Sequence, residues 1–143
     1  MQHLAIMKKS WGLLEKILKG QKKIESRWYS LKCQPWNNIK TGETVYFKDS
    51  GEPVSLKVSV AKVLSFENLT SKKVKAILAK YGQADGLDKK EIPEFYKRFK
   101  DKKYCLLIFL KDPQKIKPFN INKAGFGMMA AWLTVNNISQ IKK

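Results

Sequence analysis

One short stretch, Gly20-Gln21-Lys22-Lys23-Ile24-Glu25-Ser26-Arg27, concentrates the residue types that can do chemistry. A guanidinium held against a carboxylate makes a rigid polar floor. A lysine beside that floor can meet a phosphate or a base carbonyl. If burial or neighbouring cations lower its pKa, the same lysine can serve as nucleophile or base in amide hydrolysis, which makes Lys22 and Glu25 the candidate catalytic pair of an enzyme. Lys22 to Tyr29 alternate as a strand does. Lys23, Glu25, Arg27 and Tyr29 share one face, and Ile24, Ser26 and Trp28 share the other, which assigns Trp28 to the core. Two residues apart on one face, Glu25 and Arg27 are about 7 Å apart at the backbone, within reach of pairing. A plainer reading makes them an ion pair that plugs a barrel end, with Lys22 in solvent.

Positive charge and flat rings surround this stretch. The 143 residues carry 29 Lys and Arg against 12 Asp and Glu, a formal charge of +17. That balance favours polyanionic partners, nucleic acid first among them. Trp28, Tyr29, Trp36 and Tyr46 are interleaved with Lys22, Lys23, Lys32, Lys40 and Lys48, and unstacked bases lie on such rings. Tyr29 and Trp36 are the better stacking candidates. Trp36 sits in a long loop after Tyr29 that closes at Thr41-Gly42, where it is either a lid on the core or a ligand contact.

The elements that must position these residues follow from periodicity. His3 to Met7 reads as a buried strand. Ser10 can cap a helix carrying Trp11, Leu14, Ile17 and Leu18, stopped by Gly20. Thr44 to Lys48 and Leu56 to Leu64 form a hairpin across Asp49-Ser50-Gly51-Glu52-Pro53. The phase slip near Ala61 predicts a bulge that curves the sheet. Thr70 or Ser71 caps a helix with Val74, Ile77, Leu78 and Tyr81 on one face and Gly82 at its end, and Ile92, Phe95, Tyr96 and Phe99 mark another; both stripes read as core packing. Tyr104 to Leu110 is an apolar strand that Asp112-Pro113 should break, and a last strand follows Phe126-Gly127, around Met129 to Val135. No linker or repeat divides the chain, so residues 1–143 read as one domain of α+β class, a mixed, curved sheet of five to six strands with flanking helices.

The pattern of Gly20, Lys22, Glu25 and Arg27, directly after an amphipathic helix and opening a strand, resembles the signature of the ASCH domain, a member of the PUA-like superfamily. The Pro35-Trp36 loop, the Thr41-Gly42 turn, the Val45-Tyr46-Phe47 strand and the Phe126-Gly127 segment resemble small archaeal and bacterial ASCH proteins. This resemblance implies a small β-barrel with a motif-lined cleft and RNA or a nucleotide as ligand, DNA being possible. Its ligand contacts would be Gly20, Lys22, Lys23, Glu25, Arg27, Tyr29, Trp36, Tyr46 and Lys48.

Three further function classes compete with a binding module. One branch of ASCH proteins hydrolyses N4-acetylcytidine with the lysine of this motif, a threonine and a later glutamate. Lys22 matches the lysine, but Glu25 stands in the threonine's place and residues 71–82 contain no glutamate. A metal-independent ribonuclease would use a lysine for charge and Tyr29 or Tyr46 as a proton shuttle. The third class is an adaptor of protein assemblies, for which no attached domain speaks. Cys33 and Cys105 lack CxxC spacing and His3 is the only histidine, too few soft ligands for a metal site. No cofactor is expected, and a reduced, cytoplasmic setting is. The apolar run in the first eleven residues is too short for a signal peptide, and no run spans a bilayer, so no membrane association is expected.

Overall fold

The computed structural model describes residues 1–143. Six strands form one mixed sheet: β1 (Gln2–Met7), β2 (Ile24–Tyr29), β3 (Thr44–Asp49), β4 (Val54–Phe66), β5 (Tyr104–Phe119) and β6 (Trp132–Val135). Their order is β2-β5-β4-β3-β1-β6, with β1 parallel to β3 and the other pairs antiparallel. The α+β architecture is therefore a sheet curled into a half-barrel, with β2 and β6 as its free edges. Helices α1 (Leu13–Leu18), α2 (Ser71–Tyr81) and α3 (Ile92–Phe99) flank it.

Curvature comes from local irregularities. The β4–β5 register shifts between Val60 and Lys62, where the hydrophobic phase of the sequence slips at Ala61. The expected break at Asp112-Pro113 does not occur, and β5 runs on to Phe119. Lys57 pairs with Gln114 and Ser59 with Lys111, so Asp112 and Pro113 stand opposite Val58 as a bulge. Asp112 takes a left-handed conformation, φ 53°, and the N–H that proline lacks falls where the ladder is already interrupted.

Two other elements depart from expectation. Ser10 caps no helix: residues Lys9–Trp11 form a single 3₁₀ turn, Gly12 leaves it at φ 63°, and α1 starts at Leu13. Trp11 is thereby left outside the helical stripe and 42% exposed. The last strand begins only at Trp132. Gly125 and Gly127 hold positive φ in the loop before it, and Met128 and Met129 stand almost fully in solvent.

The apolar interior has three parts. Val45, Phe47, Leu56, Val58, Leu106 and Ile108 pack inside the curl beneath α1. Val74, Ile77 and Leu78 of α2 pack with Ile24, Cys105 and Leu107 on the convex face, the stripe that the spacing predicts. Thr70 caps α2 by accepting from Lys73 N. A third cluster joins Leu4, Val54 and Leu133 to Ile138 and Ile141. The α3 stripe is only half-buried, because Phe95 and Phe99 also border an open cleft. Both cysteines are free thiols, Cys33 exposed and Cys105 buried. No helix is long and apolar enough to cross a membrane.

Candidate nucleotide cleft

The chain turn after α1 aims the motif. Gly20 takes φ 75°, and Lys16 O then accepts from both Gln21 N at 2.9 Å and Lys22 N at 3.0 Å. That tight turn throws the Lys22 side chain inward. Its methylene stem lies on Gly86, where a Cβ would sit 3.2 Å from Lys22 Cβ and the backbone holds φ 89°, so the close approach calls for glycine. Ala84 O accepts from Lys23 N and Ile24 N, stitching the 82–88 loop to the head of β2.

Lys22 is thus the most deeply held of the motif's charges. It is 3% exposed, and the readings that leave it in solvent or free for a phosphate are corrected. Its Nζ donates to Asp85 Oδ1 and Asp85 O, each at 2.7 Å, and lies 3.2 Å from Glu25 Oε1. Arg27 completes the network as the strand spacing predicts, with Nη2 2.7 Å and Nε 3.0 Å from Glu25 Oε2. Ser26 Oγ donates to Asp85 Oδ2 at 2.5 Å and accepts from Trp28 Nε1 at 3.1 Å. Two cations and two carboxylates so form a buried, charge-balanced set.

Electrostatics differ among its members. Burial alone would lower Lys22, but Asp85 and Glu25 outweigh it and hold the ammonium above its ordinary value. The lowered lysine pKa that a nucleophilic Lys22 requires is therefore not the resting state. Burial would raise Glu25, yet Arg27 and Lys22 pull it below the carboxylate norm. Burial pushes Asp85 up, aided by Glu25 and opposed by Lys22. Asp85 is the carboxyl of the set best suited to accept a proton.

This network floors a cleft of about 790 Å³. One wall is Trp28 stacked on Phe99, ring centroids 4.9 Å apart and ring planes nearly parallel. Trp28 is thus both core and lining, beyond the purely structural role that parity assigns. Trp11 and Phe95 form the lip, with the Arg98 guanidinium 5.3 Å and 5.4 Å from their ring centres. Arg27 lies 5.0 Å from the Trp132 ring and so bridges the two free edges of the sheet. Lys8, Lys16 and Lys123 stand around the rim.

Of the residues singled out from sequence, Lys22, Glu25 and Arg27 meet in this cleft. Gly20 and Lys23 line a second hollow behind it, of about 640 Å³. Tyr29, Trp36, Tyr46 and Lys48 border neither. Tyr29 is half-buried with its hydroxyl donating to Gln34 O, and burial pushes its pKa up. Trp36 folds back onto the core, edge-on to Tyr104. Tyr46 packs on Phe119, and like Lys48 it alternates with the core residues Val45 and Phe47, so both side chains leave from the opposite face of β3. Asp85 was missed because its bond to Lys22 spans 63 residues. The Tyr81-Gly82-Gln83-Ala84-Asp85-Gly86 turn holds an acid just beyond residues 71–82, which contain no glutamate. Glu25 and Asp85 are committed to cations, and no three His, Cys, Asp or Glu gather as metal ligands.

No family model and no curated protein matches the sequence. Solved structures do. The ASCH protein of Zymomonas mobilis superposes with a TM-score of 0.66 at 13% identity, over 99% of this chain and 96% of that one. A mutant of the same protein gives 0.69 at 13%, over 97% and 93%. The N-terminal domain of Staphylothermus marinus McrB gives 0.52 at 13%, over 83% and 76%. With six strands in a half-barrel and three flanking helices, this chain has the fold of an ASCH domain.

Proposed function

We propose that the cleft binds one nucleotide unit of RNA. The observation that carries this reading is a buried, charge-balanced floor beneath aromatic walls and a cationic rim. Its volume of about 790 Å³ suits a small ligand. Trp28, Phe99, Trp11 and Phe95 offer ring faces and edges for a base. Arg98, Lys8 and Lys123 offer charge for a phosphate. The floor contributes fixed acceptors and a fixed hydroxyl and moves little on binding, because each of its charges already has a partner. Titration of the intrinsic tryptophan fluorescence with uridine monophosphate and short single-stranded RNA tests this. Saturable quenching that Arg98→Ala weakens supports it, and no response to either ligand refutes it.

The Ser26–Asp85 contact favours a second reading, hydrolysis of an acylated nucleoside such as N4-acetylcytidine. Here the Ser26 hydroxyl attacks the acyl carbon while Asp85 takes its proton; collapse of the adduct breaks the C–N bond as Asp85 passes that proton to the departing amino group, and water then hydrolyses the Ser26 ester, its proton returning through Asp85 to the Ser26 oxygen. Lys22 and Glu25 then act as charge and support. Turnover of N4-acetylcytidine that Ser26→Ala abolishes supports this course; equal rates with and without the hydroxyl reject it. For phosphodiester cleavage, Tyr29 and Tyr46 lie outside the lining, and the carboxyls that border the cleft are Glu25, Asp85, Glu91 and Glu94.

A further inference from the structure

Behind the cleft, the turn after α1 and the 83–88 loop enclose the second hollow. Lys16, Lys23 and Lys80 border it, and Asp88 is its only acid, leaving a net charge of +2 (three lysines less one aspartate). None of the three ammonium groups belongs to an ion pair, whereas Lys9, Lys19, Lys22 and Lys32 do. Lys16 Nζ is held in place by Gly86 O at 2.9 Å. No aromatic ring lines this hollow, in contrast to the cleft. The two share Lys16, Gly86 and Leu87 as a common sill. One compartment is built for flat rings and the next for charge alone, and a chain leaving the first over the sill enters the second.

We propose that a single-stranded RNA lays a nucleotide in the cleft and carries its neighbouring phosphates over the Lys16–Gly86 sill onto Lys23 and Lys80. The fitting guest is then a polymer and not a free nucleoside. This extends the nucleotide reading of the cleft and rests on it. With no aromatic ring on which a base could stack, the hollow offers its lysines to a backbone that is the same in every sequence.

Binding of uridine monophosphate and of hexauridylate, each measured across a salt series, tests the proposal. Hexauridylate should bind more tightly and with a steeper salt dependence. Each phosphate neutralised on a single strand adds about 0.7 to the slope of log affinity against log salt. Lys23→Ala/Lys80→Ala should therefore lower the hexauridylate slope by about 1.4, an about sevenfold smaller loss of affinity between 50 and 200 mM salt. Lys115→Ala/Lys117→Ala, an equal charge loss on exposed β5 positions, should leave that slope unchanged. Equal affinities for the two ligands, an unchanged slope in the first double variant, or the same fall in the second would overturn the proposal while leaving the cleft reading intact. If neither ligand binds, both readings fall.

Discussion

Replacing Lys22 with methionine keeps the stem that lies on Gly86 and removes only the cation. Lys22 has two carboxylate partners at 2.7 and 3.2 Å, and after the change Arg27 alone balances Glu25 and Asp85. Breaking a buried pair from one side costs about 3–5 kcal/mol. For a chain of this size each kcal/mol lowers Tm by about 3 °C, so the variant should melt about 10–15 °C below the parent. The deficit should also depend on pH. Asp85 is already pushed up by burial against the pull of Lys22, and without that pull it rises further. A carboxyl raised on folding binds its proton more tightly in the native state. Its penalty is absent below the ordinary aspartate pKa of about 4 and grows as pH rises through the folded value. Urea unfolding of both proteins at about pH 4.5 and pH 7.5 measures this. A deficit under about 1 kcal/mol at pH 7.5, or one that does not shrink at pH 4.5, would refute the account of Lys22 as the keystone of a buried charge set.

His3 is fully buried, and Trp132 Nε1, which can only donate, points at its Nδ1 from 3.2 Å while Nε2 donates to Glu43. The ring is therefore neutral, and burial lowers its pKa against the pull of Glu43. Stability from this site is present above the ordinary histidine value and lost as pH falls through the folded one, so unfolding free energy should decline below about pH 6.5 and His3→Gln should flatten that decline. Trp11→Ala removes an exposed ring from the lip of the cleft; RNA binding should weaken by about 1–3 kcal/mol with the urea midpoint little changed. Ellman's reagent should titrate one thiol, Cys33, in the native protein and reach Cys105 only after unfolding, since burial both shields that thiol and raises its pKa.

Local signals in the sequence carried as far as local forces decide the outcome. Thr70 and Gly82 mark the ends of α2, the phase slip at Ala61 marks a real bulge, and Glu25 and Arg27 pair as their strand parity requires. Where two forces compete over distance, the reading failed. Asp112-Pro113 resembles a strand break, yet tertiary pairing with β4 absorbs it. Trp36, open in sequence between a lid on the core and a ligand contact, takes the first course and packs edge-on to Tyr104. The fate of Lys22 turned on Asp85, a partner that no spacing rule reaches. Lys23 and Gly20 belong with the motif in sequence, but the turn at Gly20 sends them to the other side of the sill.

The charge set also constrains how this chain can drift. Mutating Lys22, Glu25 or Asp85 alone strands an opposite charge in the interior, so each single step passes through a weakened protein. Neutral replacement has to come as a compensated exchange, cation and carboxylate together. Gly86 is tied to the same exchange, because the lysine stem occupies the space any larger residue there would need. In lineages that keep this fold, these four positions should therefore be inherited as a block and lost as a block.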